Sequence, residues 1–421
     1  MDIASNEFDP TRISLPGTPN VMVVADEWFS AHGGISTLNR HLCGGLATTG
    51  ASVSCLVLSA SPTEHDDAAR RGVRLIEARP MVGAPALVAL MQKPELPAGV
   101  VPDVIIGHGR VTGVAAKFLA ENHFPGAARL HFVHVAPDEV EWLRVDRADD
   151  AGERAAQRVA VDLELGRTAT RVVAVGPSLH RRLERDLHDL VDVAPPLRFD
   201  PGFDGVDDGP RRPAPGGPQQ VLVLGRMEDT EIKGVDLAAA ITARTVDLLG
   251  RDSNDVELLV RGAPPGDCAR LRDRLRAHAA DPALHVTVRP FTTDDGTLQQ
   301  DLARAHLVLM PSRAEGFGLA GAEAIASGVP TLVSDRSGLG RLLRETLPPD
   351  AAARVVVPVT LDETRDVTRW ATHAAAILRH PDAAFTDAHA VRQAAARKST
   401  WANATAQLLR AVLEPTPSTV D

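Results

Sequence analysis

Two series of short apolar runs divide the chain. The first covers residues 21–25, 53–58, 73–76, 104–106, 130–135 and 171–175; the second covers 221–224, 256–261, 286–289, 306–310 and 331–334. Each run has the length of a buried strand. Between several of them apolar residues recur three or four positions apart, as at Leu38, Leu42 and Leu46, and across 237–249 and 271–279, which predicts helices. Strands alternating with helices imply α/β architecture, with parallel sheets covered on both faces. Ligands of such sheets bind beyond the carboxyl ends of the strands, so functional residues are sought just after each run.

Between the two series the pattern breaks. Residues 200–219 contain Pro201, Gly202, Gly205, Gly209, Pro210, Pro213, Pro215, Gly216, Gly217 and Pro218, a composition that predicts an interdomain linker. The expected units are therefore 1–199, with a loose polar lead-in of about twenty residues, then the linker 200–219, a second domain over 220–384, and a helical segment over 385–421. A length of 421 residues agrees with two cores rather than one.

Composition narrows the function classes. A formal net charge of −10, with 45 basic residues interspersed among 55 acidic ones, disfavours a nucleic-acid binder. Cys43, Cys55 and Cys268 are too few and too far apart for a disulfide framework or a paired zinc motif, so a reducing, cytoplasmic setting is expected. The N-terminal stretch lacks a basic region followed by an apolar run, and no stretch approaches the roughly 20 apolar residues of a membrane span; neither a signal peptide nor a transmembrane segment is expected. Arg181, Arg182 and Arg185 leave peripheral membrane contact open, although a solvated face is the simpler reading. With no Tyr and only 4 Trp, a long polysaccharide stacked on aromatic platforms is disfavoured.

The chemistry concentrates after the run 306–310. Pro311 closes that run, and Gly316, Gly318 and Gly321 follow within a turn that opens a helix. The first N–H groups of a helix lack partners and carry partial positive charge, so an anion is the natural occupant of the turn. Glu315 lies in the turn and Glu323 about one helical turn in; both can accept hydrogen bonds from hydroxyl groups. A ligand with phosphates in its middle and hydroxyls at both ends fits.

The stretch Glu315-Gly316-Phe317-Gly318-Leu319, followed by Glu323-Ala324, resembles the two-glutamate E-x7-E motif of retaining GT-B glycosyltransferases, in particular family 4 (glycosyl transferases group 1). The resemblance implies that Glu315 contacts the donor sugar and Glu323 the nucleotide ribose, with Gly316, Phe317, Gly318 and Leu319 beside the donor. It extends to Gly33-Gly34, which resembles the N-terminal glycine loop near the donor diphosphate. His108 resembles the histidine after an Asp-x-x-x strand, and His134 the histidine that meets the donor sugar near the reacting carbon. His131 and His134 would face opposite sides of a strand, which argues against a shared metal. Lys398-Ser399-Thr400-Trp401 resembles the family's final helix, which crosses back to the first domain. The implied fold is GT-B: two doubly wound, Rossmann-like sheets facing a central cleft.

Gly225-Arg226 and Lys233-Gly234 resemble the Gly-Arg and Lys-Gly pair that grips the donor diphosphate. Fixed cations there would stabilise the charge that develops as a nucleoside diphosphate departs. The loop between Arg226 and Lys233 is two residues longer than the family's commoner spacing and carries the acids Glu228, Asp229 and Glu231, and pairing with these acids is the competing role for both cations. No Asp-x-Asp motif is present; two cations and a helix terminus make a divalent ion unnecessary, so no cofactor or metal is expected and activity should survive a chelator.

Two other motifs fail on spacing. The glycines of 107–113 depart by one residue from a dinucleotide fingerprint, and Ser178 lacks the second glycine of a nucleophile elbow. The expected function is thus a retaining glycosyltransferase moving a sugar from a nucleotide-sugar to a hydroxyl acceptor that meets first-domain loops such as 26–32. His134, Arg226, Lys233 and Glu315 would serve the transfer step. The alternatives are a nucleotide-sugar epimerase or sugar phosphorylase on the same architecture, or a non-catalytic binding protein that retains it.

Overall fold

The structure is a computed structural model; it describes residues 17–29, 34–144, 149–190, 193–204, 209–212, 215–250, 255–360 and 362–414. Its strands form two parallel sheets. The first holds β1 (Asn20–Val24), β2 (Ser52–Val57), β3 (Val73–Glu77), β4 (Val104–His108), β5 (Ala128–Val133), β6 (Arg171–Val175) and β7 (Leu197–Phe199), in the order β3-β2-β1-β4-β5-β6-β7. The second holds β8 (Gln219–Leu224), β9 (Val256–Ala263), β10 (His285–Pro290), β11 (Ala305–Met310), β12 (Thr331–Ser334) and β13 (Val356–Val357), in the order β10-β9-β8-β11-β12-β13. Every recorded pairing is parallel.

Parallel strands lie between two helical layers, which is why the runs are apolar on both faces rather than alternating. Val104, Ile105 and Ile106 of β4 are all fully buried, as are Leu222 of β8 and Leu307 of β11. Each such side chain contributes about 1.5–3 kcal/mol on burial. Two strands escape the pattern of apolar runs: β7 has three residues and β13 two, too short to register as a run.

Strand order reverses between β1 and β4 in the first sheet and between β8 and β11 in the second. Helices after β1 and β4 run to opposite faces, so a crevice opens at each reversal, beyond the carboxyl ends of the strands. The two crevices face each other. The chain returns across them at its end: the helix Trp401–Leu413, capped by the Thr400 side chain, packs on the helix Gly34–Thr48. Trp401 stacks on His41 with ring centroids 4.9 Å apart. Gly202 passes so close to the start of this helix that a Cβ there would lie 2.1 Å from the Trp401 nitrogen. The beginning of the proline-rich stretch is thereby held: Phe203 is 1% exposed and its N–H donates to the Ser399 carbonyl.

Candidate functional site

The second sheet supplies the cationic wall. After β8 the chain turns through Gly225 to Arg226, then coils through Met227–Asp229 and Thr230–Lys233. These helical turns take up the two extra residues and return Lys233 to the cleft. Gly234 adopts φ +64, and a Cβ there would meet the Pro311 carbonyl at 2.1 Å, so the turn after β8 lies directly against the turn after β11. Two further ties hold them together. The Arg313 N–H donates to the Ile232 carbonyl at 2.8 Å, and the Arg313 guanidinium forks onto Asp236 at 2.8 and 2.9 Å, the bidentate geometry that suits arginine.

Lys233 Nζ lies 2.5 Å from Glu315 Oε2, and Ser312 Oγ donates to the same oxygen at 3.4 Å. The competing role is divided: Lys233 pairs with Glu315 rather than with its acidic neighbours, whereas Arg226 does lie 3.4 Å from Glu228. Both basic side chains remain about one-third exposed toward the cleft. Beyond Glu315, Gly318 takes φ +104 and opens the helix Leu319–Ala326 without a side-chain cap. Its first N–H groups therefore point into the turn.

Glu323 projects from the second turn of that helix. Burial pushes its carboxyl up to about 7, with the Arg40 guanidinium opposing and the Asp295 carboxylate reinforcing the shift. Phe317, 4% exposed, seats against Gly176 of the first domain, where a Cβ would come within 2.7 Å of the ring.

The first sheet supplies the opposite wall. Gly34 starts the helix after β1, and a Cβ there would touch Leu319 at 3.7 Å; Gly33 lies outside the described residues. His108 ends β4 and is 2% exposed, while His134 follows β5 directly. His108 Nδ1 and His134 Nε2 are 3.1 Å apart. Burial holds His108 down at about 3, with the charge of His131 acting in the same direction, and burial with His108 and His131 holds His134 well below its usual value. Both rings are therefore neutral at physiological pH. The His134 carbonyl lies against Gly316 across the cleft, where a Cβ would be 2.0 Å from it. His131 turns away, buried, with Nε2 3.6 Å from Asp162.

These surfaces enclose one cavity of about 1090 Å³, lined by Gly34, His108, His134, Arg226, Lys233, Glu315, Gly316, Phe317, Gly318, Leu319 and Glu323. Every described candidate from the sequence thus reaches the same space. The sequence reading missed other members of the lining. Thr292, Asp295 and Gln299 come from the end of β10 and the helix after it, and Arg110, Arg144 and Arg158 from the first domain. Arg144, Arg154 and Arg158 converge on Glu141, a carboxylate with no exposure. Burial lowers the pKa of Arg158; Glu141 opposes, and Arg110, Arg144 and Arg154 add to the lowering. Arg154 pairs with Asp150 as well, so Glu141 is not the only carboxylate that this group of arginines meets.

Two surface features resolve blandly. Asp236, His278 and Glu363 approach metal-ligand spacing, but Arg313 already pairs with both carboxylates. Arg181 pairs with Glu345 of the second domain, and Arg182 with Asp138 and Asp186 of its own domain, so carboxylates of the protein itself engage both. No helix among the described residues is long and apolar enough to cross a membrane.

Comparison with known proteins agrees with this architecture. A D-inositol 3-phosphate glycosyltransferase of Nocardia farcinica is 34% identical over 164 residues, 37% of this chain and 35% of that protein. The matched segment thus spans about a third of that relative's length. Another from an Arthrobacter species is 28% identical over 345 residues, 74% of this chain and 76% of the relative. Among solved structures, sucrose-phosphate synthase of Thermosynechococcus elongatus superposes with a TM-score of 0.66 at 18% identity, covering 93% of this chain and 98% of that one. Anabaena HepE, solved with UDP and glucose, superposes at 0.63 with 14% identity, covering 93% and 99%. These are GT-B folds, the architecture of the two facing sheets. A family model described as family 4 glycosyltransferase in conflict systems matches residues 22–408, nearly the whole chain, and the chain belongs to that family.

Proposed function

We propose that this protein is a retaining glycosyltransferase that moves a sugar from a nucleotide-sugar to a hydroxyl of an anionic acceptor, without a divalent ion. One observation carries the reading. A single cavity sets Arg226, Lys233 and the N-terminus of Leu319–Ala326 on one wall, with Glu315 and Glu323 flanking them and His134 opposite. The diphosphate would lie between the cations and the helix tip, the ribose on Glu323, and the sugar between Glu315 and His134. When the donor arrives, a phosphate oxygen competes for Lys233 and frees Glu315 to accept from sugar hydroxyls.

The bond between the anomeric carbon and the diphosphate oxygen breaks with its electron pair going to that oxygen. Arg226, Lys233 and the helix N–H groups stabilise the developing charge. The acceptor hydroxyl attacks from the same face and passes its proton to the departing oxygen, so configuration is kept. A metal is unnecessary because the charge already has three fixed partners. The anionic acceptor rests on Arg110, Arg144 and Arg158, which line the first-domain side; it also fits the relatives named for D-inositol 3-phosphate.

The test is a panel of UDP-, GDP-, ADP- and TDP-sugars with inositol 3-phosphate or unphosphorylated inositol, with and without EDTA. Expected are release of nucleoside diphosphate with the phosphorylated acceptor, unchanged rates in EDTA, and a product whose anomeric NMR coupling matches the donor. An inverted product or a reversible loss in EDTA removes the mechanism; epimerised donor or a requirement for phosphate points to a different reaction on this fold.

A further inference from the structure

Asn39 is a polar residue on the apolar face of the helix Gly34–Thr48, between Leu38 and Leu42, and it is fully buried. Nothing about a nucleotide-sugar site requires it there, and it does not line the cavity. Its amide is nonetheless oriented. Nδ2 points to Cys55 Sγ at 3.5 Å; Oδ1 accepts from Cys43 Sγ at 3.6 Å and faces His108 Nε2 at 3.1 Å. A carbonyl oxygen only accepts. With the amide in this orientation His108 carries its proton on Nε2, which leaves Nδ1 bare.

That bare nitrogen is 3.1 Å from His134 Nε2. Two bare nitrogens cannot share a hydrogen bond, so His134 Nε2 donates and His134 Nδ1 is left as an acceptor. The rings have little freedom to rearrange. His108 lies tilted against Phe132 at 5.4 Å, and His134 stacks on the same ring at 6.2 Å. Burial keeps both imidazoles neutral, so neither can donate from both nitrogens at once.

We infer that Asn39 is a positioning residue, which sets the tautomer of His134 through His108 and so presents the cleft with an imidazole that accepts hydrogen bonds but does not donate them. The consequence for specificity rests on the reading of His134 as a contact of the donor sugar. An acceptor-only ring favours a sugar that offers a hydroxyl at that position and disfavours one that offers a carboxylate, such as a uronic acid. The orientation is relayed from the core of the first domain, one helix behind the site, as outer partners orient ligand-facing histidines elsewhere.

The first measurement needs no substrate. Long-range ¹H–¹⁵N correlation spectra of ¹⁵N-histidine-labelled protein at pH 7, assigned with His108→Gln and His134→Gln, should place the proton on Nε2 in both rings. Asn39→Asp keeps an acceptor and should retain both tautomers; Asn39→Leu removes it and should leave the His134 signal in a mixture or in the opposite tautomer. A native His134 protonated on Nδ1, or a tautomer unmoved in Asn39→Leu, overturns the inference. Should Asn39→Leu fail to fold, the native spectrum and the Asp variant still decide.

The second measurement uses whichever nucleotide-sugar of the panel is turned over. Asn39→Leu should lower kcat by between about 10- and 100-fold, the range for a misaligned contact, with acceptor KM unchanged and substantial rescue in Asn39→Asp. Equal losses in the Leu and Asp variants would mean a merely structural role. If no donor turns over while the native spectrum is as expected, it is the transferase reading that has failed, not the relay.

Discussion

Glu323 shows how one side chain can carry a conflict between stability and binding. Its carboxyl is held at about 7 by burial, against a usual value of 4.5. The folded protein therefore keeps a proton that the unfolded chain releases between pH 4.5 and about 7. The stability linked to this group is fully present below 4.5 and is lost as pH rises through about 7. Replacing Glu323 with Gln should flatten that part of the thermal-midpoint curve between about pH 5 and 8; an identical slope in the variant would show that the group does not titrate there. Binding has the opposite sign. Ribose hydroxyls donate best to the ionised carboxylate, so affinity for a nucleotide-sugar should rise with pH through about 7, accompanied by proton release in calorimetry. A nucleotide-sugar suits this test because its diphosphate diester does not itself titrate in that range. Glu323→Gln should bind more weakly at pH 8 and lose the pH dependence.

Lys233 and Glu315 form the other residue-scale test. They neutralise each other at 2.5 Å. Lys233→Ala should remove diphosphate stabilisation and lower kcat by about 100-fold or more, with the protein still folded because the pair is part-exposed. Arg226→Ala should do the same. Near-native turnover in both variants would leave the departing diphosphate without its assigned partners.

Elements bring these groups together by close backbone approach, and Gly316 is where that approach is tightest. The methyl group of Gly316→Ala would overlap the His134 carbonyl at 2.0 Å and meet Val135 at 3.1 Å. One wall must retreat, at a cost of about 1–3 kcal/mol, seen as a fall of several degrees in the thermal midpoint. Turnover should fall far more than stability, because the retreat separates His134 from Glu315. A variant that loses stability but keeps its rate would mean that this contact only packs the domains. The same distinction explains what was legible in the sequence. Glu315, the glycine turn and Glu323 are local: strand, turn and helix follow within a short stretch, and local periodicity announces them. The β8 turn was legible for the same reason, although only the fold shows that its extra residues coil and bring Lys233 back to Glu315. Asn39 and His108 are 69 positions apart and meet only because β1 and β4 are neighbours. A polar residue within the Leu38–Leu42 apolar stripe was the available signal. Arg158 had none, since its place on the cleft wall depends on which helix faces the cleft.

At the scale of the whole molecule, the cleft is held by contacts that are weak one by one. Asp295 of the second domain meets Arg40 at 3.4 Å and Arg71 at 3.6 Å, and Glu345 meets Arg181 at 3.0 Å and Arg198 at 2.8 Å. Asp295 is 54% exposed, and exposed pairs contribute about 0.2–1 kcal/mol each. Together they amount to on the order of 1–2 kcal/mol, a tilt of roughly 5- to 30-fold toward the closed arrangement. Such a tilt suits a transferase that must admit substrates and then exclude water. The double variant Asp295→Ala with Glu345→Ala should therefore show a larger radius of gyration by small-angle scattering without ligand. Raising salt from about 0.1 to 1 M, which shortens the Debye length from roughly 10 to 3 Å, should expand the native protein in the same direction. A nucleotide-sugar should restore the compact form in both cases, because the diphosphate and ribose draw on groups that are aligned only when the walls meet. The variant should accordingly show a higher donor KM with kcat little changed. Scattering that does not move in the double variant would instead place the closure in the apolar seat of Phe317 on Gly176 and in the Trp401 helix, contacts that salt does not screen.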